Sequence, residues 1–191
     1  MRINIFSKIM AAFIVIVILL GLSLPVIAFK TIKRHYISTF TENLKNITFL
    51  LKPEITDFFK NRRLNEIDGF VKSFKHDVNA RITVIDRDGT ILADSEKDPK
   101  TMENHKMRPE FIDAISGRIG TSIRFSVTVE EKMLYVAIPI VLDSKILGVL
   151  RVSTYLKDIE ILLSELRLKI FLLTLILATI AFIIIYFCYS R

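Results

Sequence analysis

The residues with the clearest potential for chemistry in this 191-residue chain are basic side chains that lie close together in the sequence. His105, Lys106 and Arg108 fall within four positions, and Arg124 and Ser126 follow in a segment where polar and apolar residues alternate. If these groups converge in the folded chain, charge-assisted hydrogen bonds would favour an anion such as a carboxylate or phosphate. His105 is also a candidate pH sensor, because histidine titrates near neutral pH.

The same basic residues have a structural alternative. Arg108 and Arg124 would then form ion pairs with Asp94 or Glu110 and hold a loop against a sheet. The residue types alone do not decide between a binding site and such ion pairs, so both interpretations stay open.

No set of residues typical of catalysis or metal binding accompanies these groups. His35, His76 and His105 lie far apart, and no serine or cysteine lies in a nucleophile signature. A single cysteine, Cys188, excludes an intrachain disulfide and a zinc site built from cysteines. The segment 86–89 begins like an EF-hand loop but lacks the third oxygen ligand and the closing glutamate. We therefore assign no catalytic residue, metal or cofactor to this chain.

Two apolar stretches near the ends of the chain predict membrane-spanning helices. Residues 9–29 and 170–190 are each 21 residues long, uncharged, and contain 18 apolar residues. A helix of that length extends about 31 Å, which matches the hydrocarbon core of a bilayer. We expect a cytoplasmic stub and first transmembrane helix over 1–29, a central domain over 30–169 and a second transmembrane helix over 170–191. A cleavable signal peptide is the alternative for the first stretch, although its apolar core would usually be shorter.

The charge of the central region argues against nucleic-acid binding. All 20 acidic residues and 24 of the 27 basic residues lie between the apolar stretches, and no Lys/Arg run exceeds two. Lys30, Lys33 and Arg34 follow the first stretch, where they can contact lipid headgroups. By the positive-inside rule they would place the central region in the cytoplasm, but the rule is weak for long connections. On grounds of fold we expect the central region outside the cell.

The periodicity of the central region predicts an α+β fold. Apolar residues at helical spacing predict a long helix after the first span, kinked or restarted at Pro53, and a second short helix ending near His76. From Arg81 the period changes to two, an Asp-Gly turn predicts a hairpin, and a short helix is predicted over 109–116. Five strands are expected, over residues 81–85, 90–94, 122–128, 134–141 and 146–153.

The last element before the second span carries a heptad pattern. Its apolar residues are Leu156, Ile159, Leu163, Leu166 and Ile170. The pattern contains no Gly or Pro, so it predicts one continuous helix from the domain into the membrane. Such stripes beside both spans favour a parallel homodimer. In the alternative, a monomer, both stripes pack on their own sheet.

The order of elements and several local motifs resemble the extracytoplasmic PAS-like (single Cache) sensor domain of bacterial two-component sensor histidine kinases, of the phosphate-sensor and WalK type. The motifs are RITVIDRDGTILADSE (81–96), DPKTMENHKMRPEF (98–111), AISGRIG (114–120), RFS (124–126), LYVAIPI (134–140) and ILGVLRVS (146–153). The resemblance implies an antiparallel five-stranded sheet with a long N-terminal helix, flanked by two transmembrane helices. It also implies a ligand pocket between the sheet and its flanking loop, to which we assign His105, Lys106, Arg108, Arg124, Ser126 and Tyr135.

The resemblance implies a two-pass protein of the bacterial inner or plasma membrane that signals to cytoplasmic kinase domains. In such kinases the second span leads to a HAMP linker, a dimerisation helix with the phosphorylated histidine and an ATP-binding domain. This chain ends at Arg191 without a phosphoacceptor or nucleotide-binding motif. We expect either the sensing part of a longer kinase, whose response regulator would meet the domains absent here, or a stand-alone sensor. Whether the parent protein is an enzyme therefore stays open.

Other functions remain as alternatives. The same sensor region could belong to a chemoreceptor or a cyclase, or the chain could be a passive surface-binding protein with two anchors. A transport or channel subunit is disfavoured, because neither apolar stretch contains a charged residue for an ion path.

Overall fold

The computed structural model describes residues 5–74, 78–127 and 129–190. The chain divides into two compact units, one formed by Met1–Tyr36 with Asp158–Arg191 and the other by Ile37–Lys157. The first unit holds both apolar helical stretches, and the second holds the sheet.

The N-terminal helix, α1 (Ile5–Lys60), is longer than the sequence pattern predicts. It runs for 56 residues and continues through Pro53. Of the two predicted outcomes at Pro53, a kink or a restart, the restart is therefore wrong. A proline inside a helix costs about 3 kcal/mol, whereas a fully buried Leu, Ile or Phe contributes about 1.5–3 kcal/mol. Buried residues occur on both sides of Pro53: Leu44, Leu51, Ile55 and Phe58. Their packing outweighs the lost backbone hydrogen bond.

A short second helix, α2 (Leu64–Ser73), follows a polar break. In the turn after α1, Arg62 has a positive φ of 57°, and the chain changes direction there. Phe58 and Phe70 then meet with ring centroids 5.2 Å apart, and Ile67 of α2 is fully buried. The predicted end of α2 near His76 lies outside the described residues.

Five strands form one antiparallel sheet, as predicted. They are β1 (Arg81–Asp86), β2 (Ile91–Asp94), β3 (Gly120–Ser126), β4 (Glu131–Leu142) and β5 (Lys145–Tyr155). The order across the sheet is β2-β1-β5-β4-β3. The predicted strand over 122–128 starts two residues earlier, and its end at Thr128 lies outside the described residues. A 3₁₀ turn (Pro99–Thr101) and the helix α3 (Pro109–Ile115) lie between β2 and β3.

The two faces of the sheet differ in composition. One face is apolar, with Ile82, Val84, Leu150 and Val152 buried at alternate positions. On this face, Phe59 of α1 lies close to Gly148. The opposite face carries polar residues at the intervening positions of the same strands, and the site lies there.

The last helix, α4 (Lys157–Ser190), begins directly after β5 and is continuous for 34 residues, as predicted. By length and composition two helical segments could cross a membrane, within Val15–Lys60 and Leu163–Ile184. The α+β fold with a long N-terminal helix and a five-stranded antiparallel sheet is confirmed.

Candidate functional site

The sheet face that carries the site is apolar at one end and polar at the other. At the apolar end, α3 packs through Phe111 and Ala114, which are buried in one cluster with Ile85 and Ala137. This packing places the first turn of α3, and with it Glu110, over the polar half of the face.

Close approach between α3 and β3 depends on Gly120. A Cβ atom at this position would overlap the backbone of Glu110. Because glycine lacks that atom, β3 passes directly beneath the first turn of α3, and the side chain of Glu110 is fully buried.

Four donor atoms surround the carboxylate of Glu110. Arg124 approaches it as a fork, with Nη2 2.6 Å from Oε1 and Nε 3.3 Å from Oε2. Ser122 Oγ lies 2.7 Å from Oε2, and Arg151 Nη1 lies 3.2 Å from Oε1. Two guanidinium groups therefore share one carboxylate, so this cluster keeps an excess of positive charge.

A second buried carboxylate, Asp94, pairs with Arg81 on the neighbouring strands. Arg81 Nε lies 2.9 Å and 3.0 Å from the two carboxylate oxygens. Thr83 Oγ1 donates to Asp94 Oδ2 at 2.9 Å and accepts from Arg151 Nη2 at 3.2 Å. Since Thr83 lies opposite Arg151 in the β1–β5 register, it joins the two carboxylate clusters.

His105 reaches the same face from the loop between β2 and α3. Its backbone N–H donates to Gly89 O at 2.8 Å, and Asn104 Nδ2 donates to Asp88 O at 3.1 Å. Gly89 has a φ of 92°, and Asn104 and Lys106 leave no room for a Cβ there. The β1–β2 hairpin thus fixes the loop that carries His105.

Tyr135 of β4 contacts both arginines of the Glu110 cluster. Its ring centroid is 4.0 Å from Arg124 Cζ and 5.1 Å from Arg151 Cζ. The ring attracts cations through its quadrupole, so Tyr135 helps to hold two like-charged guanidinium groups near each other.

These side chains enclose a small cavity, lined by Arg81, His105, Arg108, Arg124, Ser126, Tyr135 and Arg151. It leaves about 10 Å³ for the centre of a water molecule, which is room for about one water. Two residues of this wall have buried nitrogen atoms, Arg151 Nε and His105 Nδ1, with no hydrogen-bond partner among the described residues. Because buried polar atoms are nearly always paired, the cavity retains capacity to bind a polar group.

Four guanidinium groups line the cavity. Asp94 and Glu110 are fully buried carboxylates at its border, and the more exposed Glu96 and Glu103 each lie near one of these arginines, at 3.9 Å and 3.8 Å. Arginine stays protonated in proteins, so the wall keeps its four positive charges at any ordinary pH.

Two groups of the site have strongly shifted pKa values. Burial raises the pKa of Glu110, but the hydrogen bond from Arg124, the charge of Arg151 and the hydrogen bond from Ser122 outweigh it and lower the pKa to about 2. Burial, with the charges of the nearby arginines, lowers the pKa of His105 to about 3. Glu110 is therefore ionised and His105 neutral near pH 7.

The structure brings five of the six predicted pocket residues together: His105, Arg108, Arg124, Ser126 and Tyr135. Lys106 is exposed and does not line the cavity. Its backbone N–H donates to Asn104 Oδ1 at 2.9 Å, which fixes the loop in the conformation that turns His105 inward.

The alternative interpretation, in which Arg108 and Arg124 form ion pairs that hold the loop on the sheet, is supported at Arg124. Arg124 pairs with Glu110 as that interpretation expects, whereas Arg108 approaches Glu103 at 3.8 Å and Asp94 pairs with Arg81. The ion pair of Arg124 and a place in the cavity wall are compatible, because Arg124 contributes to both.

Sequence reasoning missed Arg81 and Arg151 as site residues. Both are buried charges on central strands, and each has a polar residue two positions further on, Thr83 and Ser153. Polar residues that alternate within otherwise apolar strands indicate a polar cluster on one face of the sheet, because a charge is rarely buried without a partner.

A comparison with protein families matches most of this domain. The family described as Single Cache-like matches residues 35–155, which is more than half of the chain. No curated protein matches the chain in sequence.

Solved sensor domains share the fold. The sensor domain of the V. cholerae histidine kinase DctB has a TM-score of 0.56 and 21% identity, covering 71% of this chain and 55% of that chain. The ligand-binding domain of the C. jejuni chemoreceptor Tlp3, in complex with 4-methylisoleucine, has a TM-score of 0.56 and 18% identity, covering 71% and 62%. The E. coli DcuS sensor domain has a TM-score of 0.53 and 16% identity, covering 65% and 94%.

At these identities the likeness concerns the fold alone. The chain spans less than two thirds of the DctB and Tlp3 domains. The predicted type of sensor fold is confirmed, whereas the phosphate-sensor or WalK type stays a prediction.

Proposed function

The chain belongs to the single Cache-like family, and from this we propose that it is the membrane-anchored sensing region of a bacterial two-component sensor histidine kinase. Its domain is of the extracytoplasmic sensor type that occurs in histidine kinases and chemoreceptors. In this proposal residues 1–29 and 170–191 anchor the domain 30–169 in the inner or plasma membrane, with the domain outside.

The sensed ligand in this proposal is a small anion. The observation that supports it is the cavity wall, in which four guanidinium groups converge and only two of the nearby carboxylates, Asp94 and Glu110, are fully buried among the residues that the structure describes. Within the same described residues, Arg151 Nε and His105 Nδ1 have no hydrogen-bond partner. Guanidinium forks match carboxylate and phosphate oxygens in geometry as well as in charge, so both anion types fit the wall.

Output in this proposal passes from the sheet to α4. Arg151 and Ser153 lie on β5, and α4 begins at Lys157, two residues after that strand ends. An anion that draws Arg151 into the cavity shifts the end of β5, and a continuous helix carries the displacement onward. Such a signal requires two arrangements whose populations the ligand biases.

Thermal unfolding of the full chain in lipid nanodiscs tests anion binding. Acetate, succinate, citrate and inorganic phosphate are each compared with sodium chloride at matched ionic strength. A ligand at 100 times its Kd stabilises the fold by about 2.7 kcal/mol, so at least one anion raises Tm by several degrees.

Two matched variants locate the effect. Arg108→Gln removes a guanidinium from the cavity wall and reduces the shift, whereas Arg118→Gln removes one from an exposed pair with Asp113 and keeps it. No Tm shift with any of the four anions discards the anion site.

Topology has its own test. Lys106 is exposed in the central domain, so Lys106→Cys in a Cys188→Ser background provides a single thiol for labelling. A membrane-impermeant maleimide applied to intact cells labels that thiol if the domain is extracytoplasmic. Labelling only after cell lysis would place the domain in the cytoplasm and end the proposal.

A parallel homodimer is part of the proposal, supported by the heptad spacing from Leu156 to Ile170. Light scattering of the detergent-solubilised chain, corrected for detergent mass, separates a dimer from a 22.0 kDa monomer. A response regulator would be reached through kinase domains that follow α4 in a longer protein.

Chemoreceptor or cyclase output remains the second candidate, because the Tlp3 chemoreceptor domain matches the fold as well as the DctB domain does. The reading frame beyond Arg191 separates these outputs. A passive two-anchor binding protein is separated by inserting two glycines after Ser164, which would abolish a response but leave ligand affinity unchanged.

A further inference from the structure

We propose that Glu110 is a built-in occupant of the anion site, and that an external anion binds by displacing its carboxylate from Arg124 and Arg151. This inference rests on the proposed function, because it assumes that a small carboxylate or phosphate binds in the arginine-lined cavity. It adds a mechanism of regulation, in which release of Glu110 loosens the first turn of α3.

The size of the cavity requires that something moves. About 10 Å³ for the centre of a water molecule does not admit a carboxylate or phosphate group. Two of the arginines that line the cavity already donate to Glu110, Arg124 through two atoms and Arg151 through one. An incoming anion therefore competes with the Glu110 side chain for the same atoms.

Glu110 is held in a way that permits this exchange. Among the described residues, the hydrogen bonds to its carboxylate come from side chains of β3 and β5, and α3 is only seven residues long. Rotation of the side chain out of the site breaks no backbone hydrogen bond. The N-cap residue, Arg108, makes no side-chain capping bond that would fix the first turn.

Asp94, the other buried carboxylate, is held differently. Its Oδ1 accepts from the backbone N–H groups of Glu96 and Lys97, each at 3.0 Å, in addition to its pairing with Arg81. Displacing Asp94 would break the turn that follows β2. The exchangeable group is therefore Glu110.

An external anion gains contacts that Glu110 does not make. Arg151 and His105 both line the cavity, and their buried Nε and Nδ1 atoms have no hydrogen-bond partner in the part of the chain that the structure describes. A free anion can settle deeper than a carboxylate tethered to α3 and reach these atoms. The tether, in turn, gives Glu110 a high effective concentration, which lowers the apparent affinity of every competing anion.

Isothermal titration of the full chain in nanodiscs, with acetate, succinate and inorganic phosphate as probes, tests the competition. Glu110→Gln keeps the shape of the side chain but removes its charge, so each probe that binds the wild type binds this variant at least tenfold tighter. Asp113→Asn makes the same charge change on the same helix, at an exposed pair with Arg118, and leaves the affinity within twofold of wild type.

A second variant separates displacement from a general gain of positive potential. Glu110→Asp keeps the negative charge but is shorter by one methylene, so it competes less well and also tightens probe binding. Unchanged or weaker binding in Glu110→Asp overturns displacement, even if Glu110→Gln binds tightly for electrostatic reasons.

Hydrogen exchange on the wild-type chain provides a readout that needs no variant. Saturating probe should increase exchange at the amides of α3 while those of β5 become more protected. Greater protection of α3 together with β5 overturns the proposal. If wild type and Glu110→Gln both bind none of the probes, the anion site itself fails. If wild type binds and Glu110→Gln binds no tighter, only displacement fails.

Discussion

The hydroxyl of Tyr155 donates a 2.5 Å hydrogen bond to Glu96 Oε2. Tyr155 is the last residue of β5, and Glu96 lies in the loop after β2, 3.9 Å from Arg81 Nε. Because Arg81 lines the cavity, Glu96 connects the cavity wall to the residue that precedes the junction with α4. The contact is thus placed to make the start of α4 sensitive to the cavity.

Tyr155→Phe should lower the free energy of unfolding by about 1 kcal/mol, because it removes a hydrogen bond to a charged acceptor that is partly exposed. Burial is the largest cause that raises the pKa of Tyr155 above its usual range, and the hydrogen bond to Glu96 and the charge of Glu96 raise it further. A raised pKa means that the contribution is complete below the unfolded pKa of about 10 and is lost only as the pH rises further.

Urea unfolding at pH 7, 9 and 11 measures this contribution, with Tyr36→Phe as a control for loss of a tyrosine hydroxyl elsewhere. The gap between wild type and Tyr155→Phe should be equal at pH 7 and 9 and smaller at pH 11. A gap that is already smaller at pH 9 than at pH 7 would contradict the hydrogen bond as described.

Glu110 should make the stability of the domain depend on acid pH. Its pKa falls from 4.5 to about 2 in the fold, so the unfolded chain takes up the proton first as the pH decreases. The stabilisation, about 3 kcal/mol from this shift, is complete above pH 5 and is lost as the pH falls toward 2. Urea unfolding from pH 7 to 3 should show a steeper loss for wild type than for Glu110→Gln, with Asp113→Asn following wild type. Parallel curves for wild type and Glu110→Gln would refute the shift.

His105 should stay neutral across the pH range in which histidines usually titrate. Burial and the neighbouring arginines lower its pKa to about 3. Because the folded pKa lies below the unfolded value of about 6.5, this group contributes stability above pH 6.5 that is lost as the pH falls. The Cε1 proton resonance, assigned with His105→Ala, should not move between pH 8 and 5. A midpoint near 6.5 would instead support His105 as a pH sensor.

Gly120→Ala should destabilise the fold by about 1–3 kcal/mol, because the new Cβ overlaps the Glu110 backbone. Gly69→Ala in α2 is the matched control, since a Cβ there meets nothing within 4 Å. In a helix interior that change should be stabilising, by about 0.5–1 kcal/mol. Thermal unfolding of both variants measures the contrast, and equal effects would show that α3 does not rest on Gly120.

The sequence predicts the strands well because their alternation is local, but it does not predict which strands pair. Thr83 and Arg151 lie 68 positions apart and become neighbours only through the β1–β5 register. The alternation of polar residues could mark Arg151 as a candidate, but its place beside Thr83 follows only from the sheet order. Arg124 and His105 could be identified because each lies in a short polar segment with other candidate groups.

Two further differences have tertiary causes. The helix continues past Pro53 because buried residues on both sides of it outweigh one missing hydrogen bond. Lys106 turns away from the cavity because contacts of Asn104 and Gly89 determine the loop conformation. Neither packing along a helix nor the path of a loop is encoded in residue type at one position.

The most direct measurement is NMR of the arginine side-chain Nε–Hε groups in the full chain as succinate or inorganic phosphate is added. Arg151 lines the cavity, and its buried Nε has no hydrogen-bond partner in residues 5–74, 78–127 and 129–190, whereas Arg118 is exposed and paired with Asp113 outside the cavity. An anion bound in the cavity should shift the Arg151 resonance saturably and leave that of Arg118 in place. If no cavity arginine shifts, or if Arg118 shifts to the same extent, the cavity is not an anion site.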